Sequence, residues 1–297
     1  VGEWVMDLVV WSWIFLLGYI GMMLYFGVLG QKKVSTADDF ATARGGYGPL
    51  FLAFAFAATV ASGATFVGFP GIAYNAGTAA IWSVVLYPIG VYLGVLICLK
   101  LVSNSGHEFG SRSIPEYLGQ RYQSDWIRIL VSVFSLSLFF YLAGQLVSGI
   151  VMFEIMLGVS PAVALGVTAA VLMIYVVMGG AHADILTDGV QGFIMVAVGA
   201  LVLVLFLTGY GVEGGLSGMF DVLAAEDPNL VGWLNADDVL YHSWWSVLAI
   251  LLAHIPLGLL PHIGNKLWAL KDPKQRMSFM RLAVVFGMIL ATLGLGG

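Results

Sequence analysis

Long apolar runs constrain this chain more than any other feature. A stretch of about 17 to 25 apolar residues is long enough to cross the hydrocarbon core of a bilayer as a helix, and such stretches recur from one end of the sequence to the other. We place eight, at about Met6 to Leu29 (span I), Leu50 to Ile72 (II), Ala79 to Val102 (III), Ile127 to Leu157 (IV), Ala162 to Val177 (V), Thr187 to Thr208 (VI), Trp244 to Pro261 (VII) and Arg281 to Gly297 (VIII). Composition agrees: 60% of the 297 residues are hydrophobic and 10% charged, whereas soluble domains carry about 25% charged residues. The expectation is an all-α polytopic membrane protein. Cys98, the one cysteine, lies inside an apolar run, so neither a disulfide framework nor a thiolate metal cluster is available. Acidic Glu3 and Asp7, and the length of the first run, argue against a cleavable signal peptide.

The basic residues give an orientation. Lys32, Lys33 and Arg44 fall between I and II, Lys100, Arg112, Arg121 and Arg128 between III and IV, and Lys266, Lys271, Lys274, Arg276 and Arg281 between VII and VIII. An eight-span count puts all 12 on one side, which the positive-inside rule makes cytoplasmic, with the N terminus outside. Topology thus accounts for the bases, and nothing calls for a nucleic-acid partner. The VI to VII loop carries Glu213, Asp221, Glu226, Asp227, Asp237 and Asp238 and no base, as an external loop should; GLSGMFDVLAAED within it reads as a short helix on the membrane surface or an irregular loop. Trp4, Trp244 and Trp245 read as anchors at the membrane interface.

Two spans are interrupted. In span II the small residues Ala57, Ala58, Thr59, Ala61, Ser62, Gly63 and Ala64 are followed by Gly68, Pro70 and Gly71, and the helix is expected to unwind near Ala58 to Gly63. Span VII contains Pro256, Gly258 and Pro261, and each proline removes a backbone donor and obstructs the preceding turn. The charge count makes the two run in opposite senses, at the spacing expected if II to VI form a five-helix repeat and VII opens its inverted copy. Unwound backbone at membrane depth survives only where it is buried or lines a cavity, so its freed carbonyls are candidate ligands for a small cation. The chain is expected to be one transmembrane domain: residues 1–49 a leading helix and loop, 50–210 the first repeat, 211–243 the external loop, and 244–297 the start of the second repeat.

Particular side chains follow. The Ser62 hydroxyl and the backbone amides around Gly63 could receive a carboxylate at a half-helix N terminus, with Thr65 and Phe66 next on the same segment; alternatively Ser62 bonds a preceding carbonyl. Asp188, after Thr187 and before Gln191, is either a helix cap or an acid on an ion path, since a charge at mid-membrane costs about 2.5 to 3.5 kcal/mol. Asp184 reads as a solvated loop acid. His182, Asp184 and Asp188 could be drawn as a metal cluster, but no cysteine or further histidine supports one. Tyr141 and Gln145, four apart, share one face of span IV. His254 reads as packed in a polar niche. Nothing resembles a catalytic constellation: no paired intramembrane acids, metal-spaced histidines or phosphate-binding glycine loop.

Several motifs resemble those of the sodium/solute symporter family. They are DDFATARGGYGPL (Asp38 to Leu50), SGATFVGFPGIAYNAG (Ser62 to Gly77), IPEYLGQRY (Ile114 to Tyr122) and GGAHADILTDGVQGFIM (Gly179 to Met195). Arg44 is offset by a residue from the family's pattern. ATVASGATFVGFPGIAY, ADDVL and LPH look most like the pantothenate and monocarboxylate branch. The resemblance implies a leucine-transporter-type inverted-repeat core with one extra N-terminal helix, truncated after about eight transmembrane helices. It also implies a sodium site using carbonyls at Ala58 and Ala61, a sodium route past Asp188, and a gating or substrate-contacting role for His262. Hydroxyl ligands from a helix after VIII would complete the ion site. The implied function is sodium-coupled symport of a small organic solute, a monocarboxylate or pantothenate-like anion, across the cell membrane, with Na+ as coupling ion and no other cofactor. The alternative is a solute-sensing membrane module of a signalling protein.

Overall fold

The computed structural model describes residues 2–297; the side chains of residues 2–7, Ala64 and Ser105 lie outside that description, and with them the expectation for Trp4. The described residues form helices and turns in chain order: α1 (Gly2–Gln31), α2 (Ala37–Thr42), α3 (Pro49–Val60), α4 (Phe69–Ala76), α5 (Ile81–Phe109), α6 (Ile114–Tyr122), α7 (Asp125–Ser135), α8 (Leu138–Leu157), α9 (Pro161–Thr208), α10 (Gly215–Glu226), α11 (Trp244–His254), α12 (Pro261–Lys266) and α13 (Arg276–Ala291). Among them the one β-type pairing is an isolated parallel bridge between Tyr47 and Leu270.

Among the described residues five helices are long and apolar enough to cross a membrane, and a sixth span results if the bent pair 244–259 and 261–269 counts as one. The difference from eight has two sources. Spans V and VI are both contained in α9, whose 48 residues run as two helical segments on either side of a kink and together measure about 72 Å along the chain at 1.5 Å each, more than twice the hydrocarbon thickness. Span II is divided, its first half the short α3 and its second half running toward α5. Inside α9 a single residue, Gly180 (φ 50°, ψ −137°), leaves helical geometry. A side chain is disfavoured in that backbone region, and a Cβ there would collide with the Phe40 carbonyl.

This corrects the reading of the AHADILTD stretch. Asp184 is helical rather than in a loop. Asp188 lies well inside the helix that resumes after Gly180, so it caps no helix start, and Thr187 turns its hydroxyl back onto the carbonyls of Ala183 and Asp184 at 3.0 and 2.9 Å. Span IV is likewise two helices, α7 and α8, joined by a turn at Leu136 and Ser137. The external loop does contain a helix, α10.

By compactness the chain divides into one unit of residues 1–46 and 109–188 and another of 47–108 and 189–297. In the first, glycines let helices approach closely: a Cβ on Gly27 would lie 3.1 Å from Tyr175 Cα, and one on Gly30 2.8 Å from Ala183 N. Arg44 grips Asp38 through Nε and Nη2 at 2.8 and 2.9 Å and donates to the Ser111 carbonyl at 2.5 Å. That two-pronged grip holds the Asp38 carboxyl below its usual range, with partial burial opposing it.

In the second unit α3 lies along α13, with Phe54 stacked on Phe286 at 4.0 Å and Phe56 edge-on to Phe279 at 5.3 Å. Glycines on α5 face the span VII region: a Cβ on Gly90 would lie 2.7 Å from the Leu251 carbonyl, and one on Gly94 3.2 Å from Gly258 Cα. This is the small-residue packing by which helices associate where no hydrophobic effect drives them. The loop between spans VI and VII is pinned to the same unit: Tyr241, fully buried, shares a 2.5 Å hydrogen bond with Ser83, Trp82 donates to the Trp233 carbonyl, and Asn235 to that of Ala76. Large apolar side chains elsewhere stand exposed, Phe140 at 85% and Trp245 at 79%, a surface that suits lipid and not water.

Candidate ion and solute site at the broken helices

Both interrupted spans are discontinuous, and they touch. Span II holds helical geometry through Val60, because alanine and the larger apolar residues of α3 are good helix formers. It then leaves at Ala61 (φ −72°, ψ 105°) and resumes with a π-helical turn, Ala64–Gly68, ahead of α4. The break is thus at Ala61 and Ser62, the end of the stretch expected to unwind, and Ala58 remains in the last turn of α3. Span VII runs from α11 into a 3-10 turn over Pro256–Leu259, becomes extended at Leu260 (φ −63°, ψ 144°), and resumes as α12 with Pro261 in its first turn. Its halves are bent by 55°.

Contacts between the two spans fall beside these breaks. Lys266, the last residue of α12 and 7% exposed, places Nζ 2.5 Å from Thr59 Oγ1, and the Thr59 hydroxyl donates to the Ala55 carbonyl at 2.9 Å. Lys266, expected between spans VII and VIII, is a buried cation at the end of α12, bonded to the residue that follows Ala58. Farther along, the Tyr47 amide donates to the Ala269 carbonyl at 3.0 Å and the Lys271 amide to that of Tyr47 at 2.8 Å. Trp268, fully buried, donates from Nε1 to the Val102 carbonyl at 2.9 Å. The ends of spans II, III and VII are thereby clasped together at their basic side.

The predicted residues distribute as follows. Ala58 and Ala61 flank the break of span II and are each 9% exposed. Ser62 accepts the Thr65 amide on its carbonyl at 2.8 Å, which closes the turn, and Gly63 opens the second half. Thr65 is 1% exposed and its hydroxyl has no hydrogen-bond partner. A buried orphan hydroxyl is costly unless it serves a ligand. Phe66 is 38% exposed. His262 is half-buried in the first turn of α12, in the same unit. Tyr141, Gln145 and Asp188 belong to the other unit: Tyr141 is exposed on α8, Gln145 half-buried on the same face, and Asp188 half-buried in α9. Among the described residues no group of three or more His, Cys, Asp or Glu side chains is placed to hold a metal ion.

One residue that sequence reasoning passed over is central here. Tyr87 of α5 donates its hydroxyl to the Val60 carbonyl at 2.6 Å, at the edge of the break. A tyrosine inside an apolar span carried no signal of that role.

Two discontinuous apolar helices thus meet beside their breaks, in a chain with several further helices long and apolar enough to cross a membrane. The sequence matches the model of the Sodium:solute symporter family over residues 40–297, and the chain belongs to that family. It is 29% identical over 280 residues to the osmoregulated proline transporter OpuE of Bacillus subtilis (strain 168), which covers 93% of this chain and 55% of that protein. It is 28% identical over 285 residues to the sodium/pantothenate symporter of Escherichia coli (strain K12), covering 94% and 56%. The chain therefore spans about half the length of these curated relatives. A solved Na+-coupled sialic acid symporter, in a substrate-bound outward-open state, superposes with a TM-score of 0.57 at 22% identity, over 96% of this chain and 69% of that one, and shares the fold.

Proposed function

We propose that the protein is a sodium-coupled symporter of a small carboxylate-bearing solute, working by alternating access in the cell membrane. The observation that carries this is the pair of breaks, at Ala61 and at Leu260, in spans joined by Lys266 and Thr59. Carbonyls at Ala58 and Ala61 offer hard oxygen to Na+. Ser62, Gly63, Thr65, Phe66 and His262 line the solute's side of the breaks in this reading; Tyr141 and Gln145 on α8 are taken as solute-contacting residues, and Asp188 as a residue of the sodium route. Proline, pantothenate and sialic acid, the solutes of the relatives named above, all carry a carboxylate, and the positive end of a half-helix complements that group.

On the topology the bases imply, the clasp of Tyr47, Trp268 and Leu270 closes the cytoplasmic side. Sodium then stabilises the outward-facing state, solute binds, and the clasp must open for both to leave. Each net positive charge carried inward gains about 2.3 kcal/mol per 100 mV, so one sodium per monoanion is electroneutral and two are driven by voltage. The test is uptake of labelled proline, pantothenate, sialic acid and pyruvate by the complete protein in proteoliposomes, under inward sodium or potassium gradients. Accumulation of one of them under sodium alone is the expected result; uptake indifferent to sodium defeats the coupling.

A further inference from the structure

Tyr87 contacts three elements beside the breaks. Its hydroxyl donates to the Val60 carbonyl at 2.6 Å, and its ring meets Phe69 edge-on at 5.1 Å and His254 edge-on at 4.9 Å. Phe69 opens α4, the second half of span II, and His254 closes α11, just ahead of the break in span VII. His254 is itself fixed, with Nδ1 donating to the Ile250 carbonyl at 2.5 Å.

The peptide between Val60 and Ala61 matters most. In an unbroken helix the Val60 carbonyl would accept an amide from the next turn, but the chain departs at Ala61 and removes it. The Tyr87 hydroxyl stands in for that amide. The other polar atom of the same peptide, the Ala61 amide, donates to the Ala57 carbonyl at 2.8 Å. One plane is thus held at both ends, by a side chain of α5 and by the last turn of α3. The carbonyls of Ala58 and Ala61 flank it. A cation bound by main-chain oxygens depends on those oxygens being aimed before it arrives, since ordering them on binding subtracts from affinity.

We propose that Tyr87 is a positioning residue for the coupling ion: its hydroxyl fixes the Val60–Ala61 peptide and so preorganises the carbonyls at the break of span II. This rests on the reading of that break as the sodium site. Tyr87→Phe keeps both ring contacts and removes the hydroxyl. In the complete protein, with 22Na+ binding at equilibrium and uptake measured against sodium at saturating solute, Y87F should raise the half-saturating sodium concentration roughly three- to tenfold. The maximal rate at saturating sodium should stay close to wild type. Phe69→Leu, which loosens the ring's surroundings and keeps the hydroxyl, should leave sodium half-saturation within about twofold. If Y87F does not fold, 3-fluorotyrosine at position 87, a stronger donor of almost the same shape, should lower the half-saturating concentration.

Unchanged sodium half-saturation in Y87F or the fluorotyrosine protein, while wild type remains sodium-dependent, overturns the role of Tyr87 alone. An equal shift in F69L overturns it too, by assigning the effect to ring packing. Wild-type protein that binds no sodium removes the ion site itself, and the two failures are distinguishable.

Discussion

Span VII carries a proline on each side of its break, whereas span II has none until Pro70, well past the point where it leaves helical geometry. In span VII the cause is local: Pro256 and Pro261 remove donors, and the chain must turn through a 3-10 segment and one extended residue. In span II small residues permit an interruption without forcing one, and the contacts beside it come from elsewhere in the chain, the Tyr87 hydroxyl on the Val60 carbonyl and the Lys266 ammonium on the Thr59 hydroxyl. A break fixed by its own prolines is a permanent joint. One maintained by partners can change as the partners move, which is what an ion site that must open and close requires.

The comparison can be broken first where span VII is packed. Gly94→Leu should destabilise by about 3 kcal/mol or more, because the new side chain meets the Ile255 carbonyl and Gly258; thermal unfolding in detergent measures it. Next, Pro256→Ala with Pro261→Ala should straighten span VII, since each proline in a helix interior costs about 3 kcal/mol. Spin labels at exposed Leu248 and Lys271 should move apart, and uptake should fall about tenfold or more; an unchanged distance would place the cause of the 55° bend outside the prolines.

Smaller effects separate the two partners beside span II. Thr59→Val leaves the buried Lys266 ammonium with one acceptor fewer and should cost about 1 to 3 kcal/mol. Lys266→Met removes the charge together with its need and should cost about 1 kcal/mol or less. Equal losses would mean that packing, not charge, sets the joint.

The smallest effect lies outside the breaks, at Asp38 and Arg44. Asp38→Asn should cost roughly 0.5 to 1 kcal/mol, as a partly exposed pair does. Because the folded-state pKa of Asp38 is depressed, the stabilisation is full above the unfolded pKa of about 3.9 and is lost as pH falls through the folded value. Acid unfolding of wild type and D38N should therefore converge at low pH.

The bend of span VII could be read in the sequence because proline acts on its own neighbours. The break of span II could be located only to within a turn, since small residues permit an interruption and do not place it; α3 runs through Ala58 to Val60 before Tyr87 and Lys266 take over. Those contacts join residues 27 and 207 positions apart in the chain, so no local pattern announces them. Polar AHADILTD read as a loop because its composition resembles one, yet Gly180 alone supplies the turn and the rest is free to be helical. Once that stretch is helical, Asp188 has no helix start to cap. Arg44 shows the opposite lesson: its offset from the family pattern obscured a role that its grip on Asp38 and Ser111 makes evident.

Hydrogen–deuterium exchange of the protein in lipid nanodiscs, with sodium or potassium as the only alkali cation, tests the central claim most directly. Sodium held at the break of span II predicts slowed exchange of the amides at residues 60–66, and of 257–264 in the facing span, in sodium and not in potassium. Identical exchange in the two salts across both segments would contradict it.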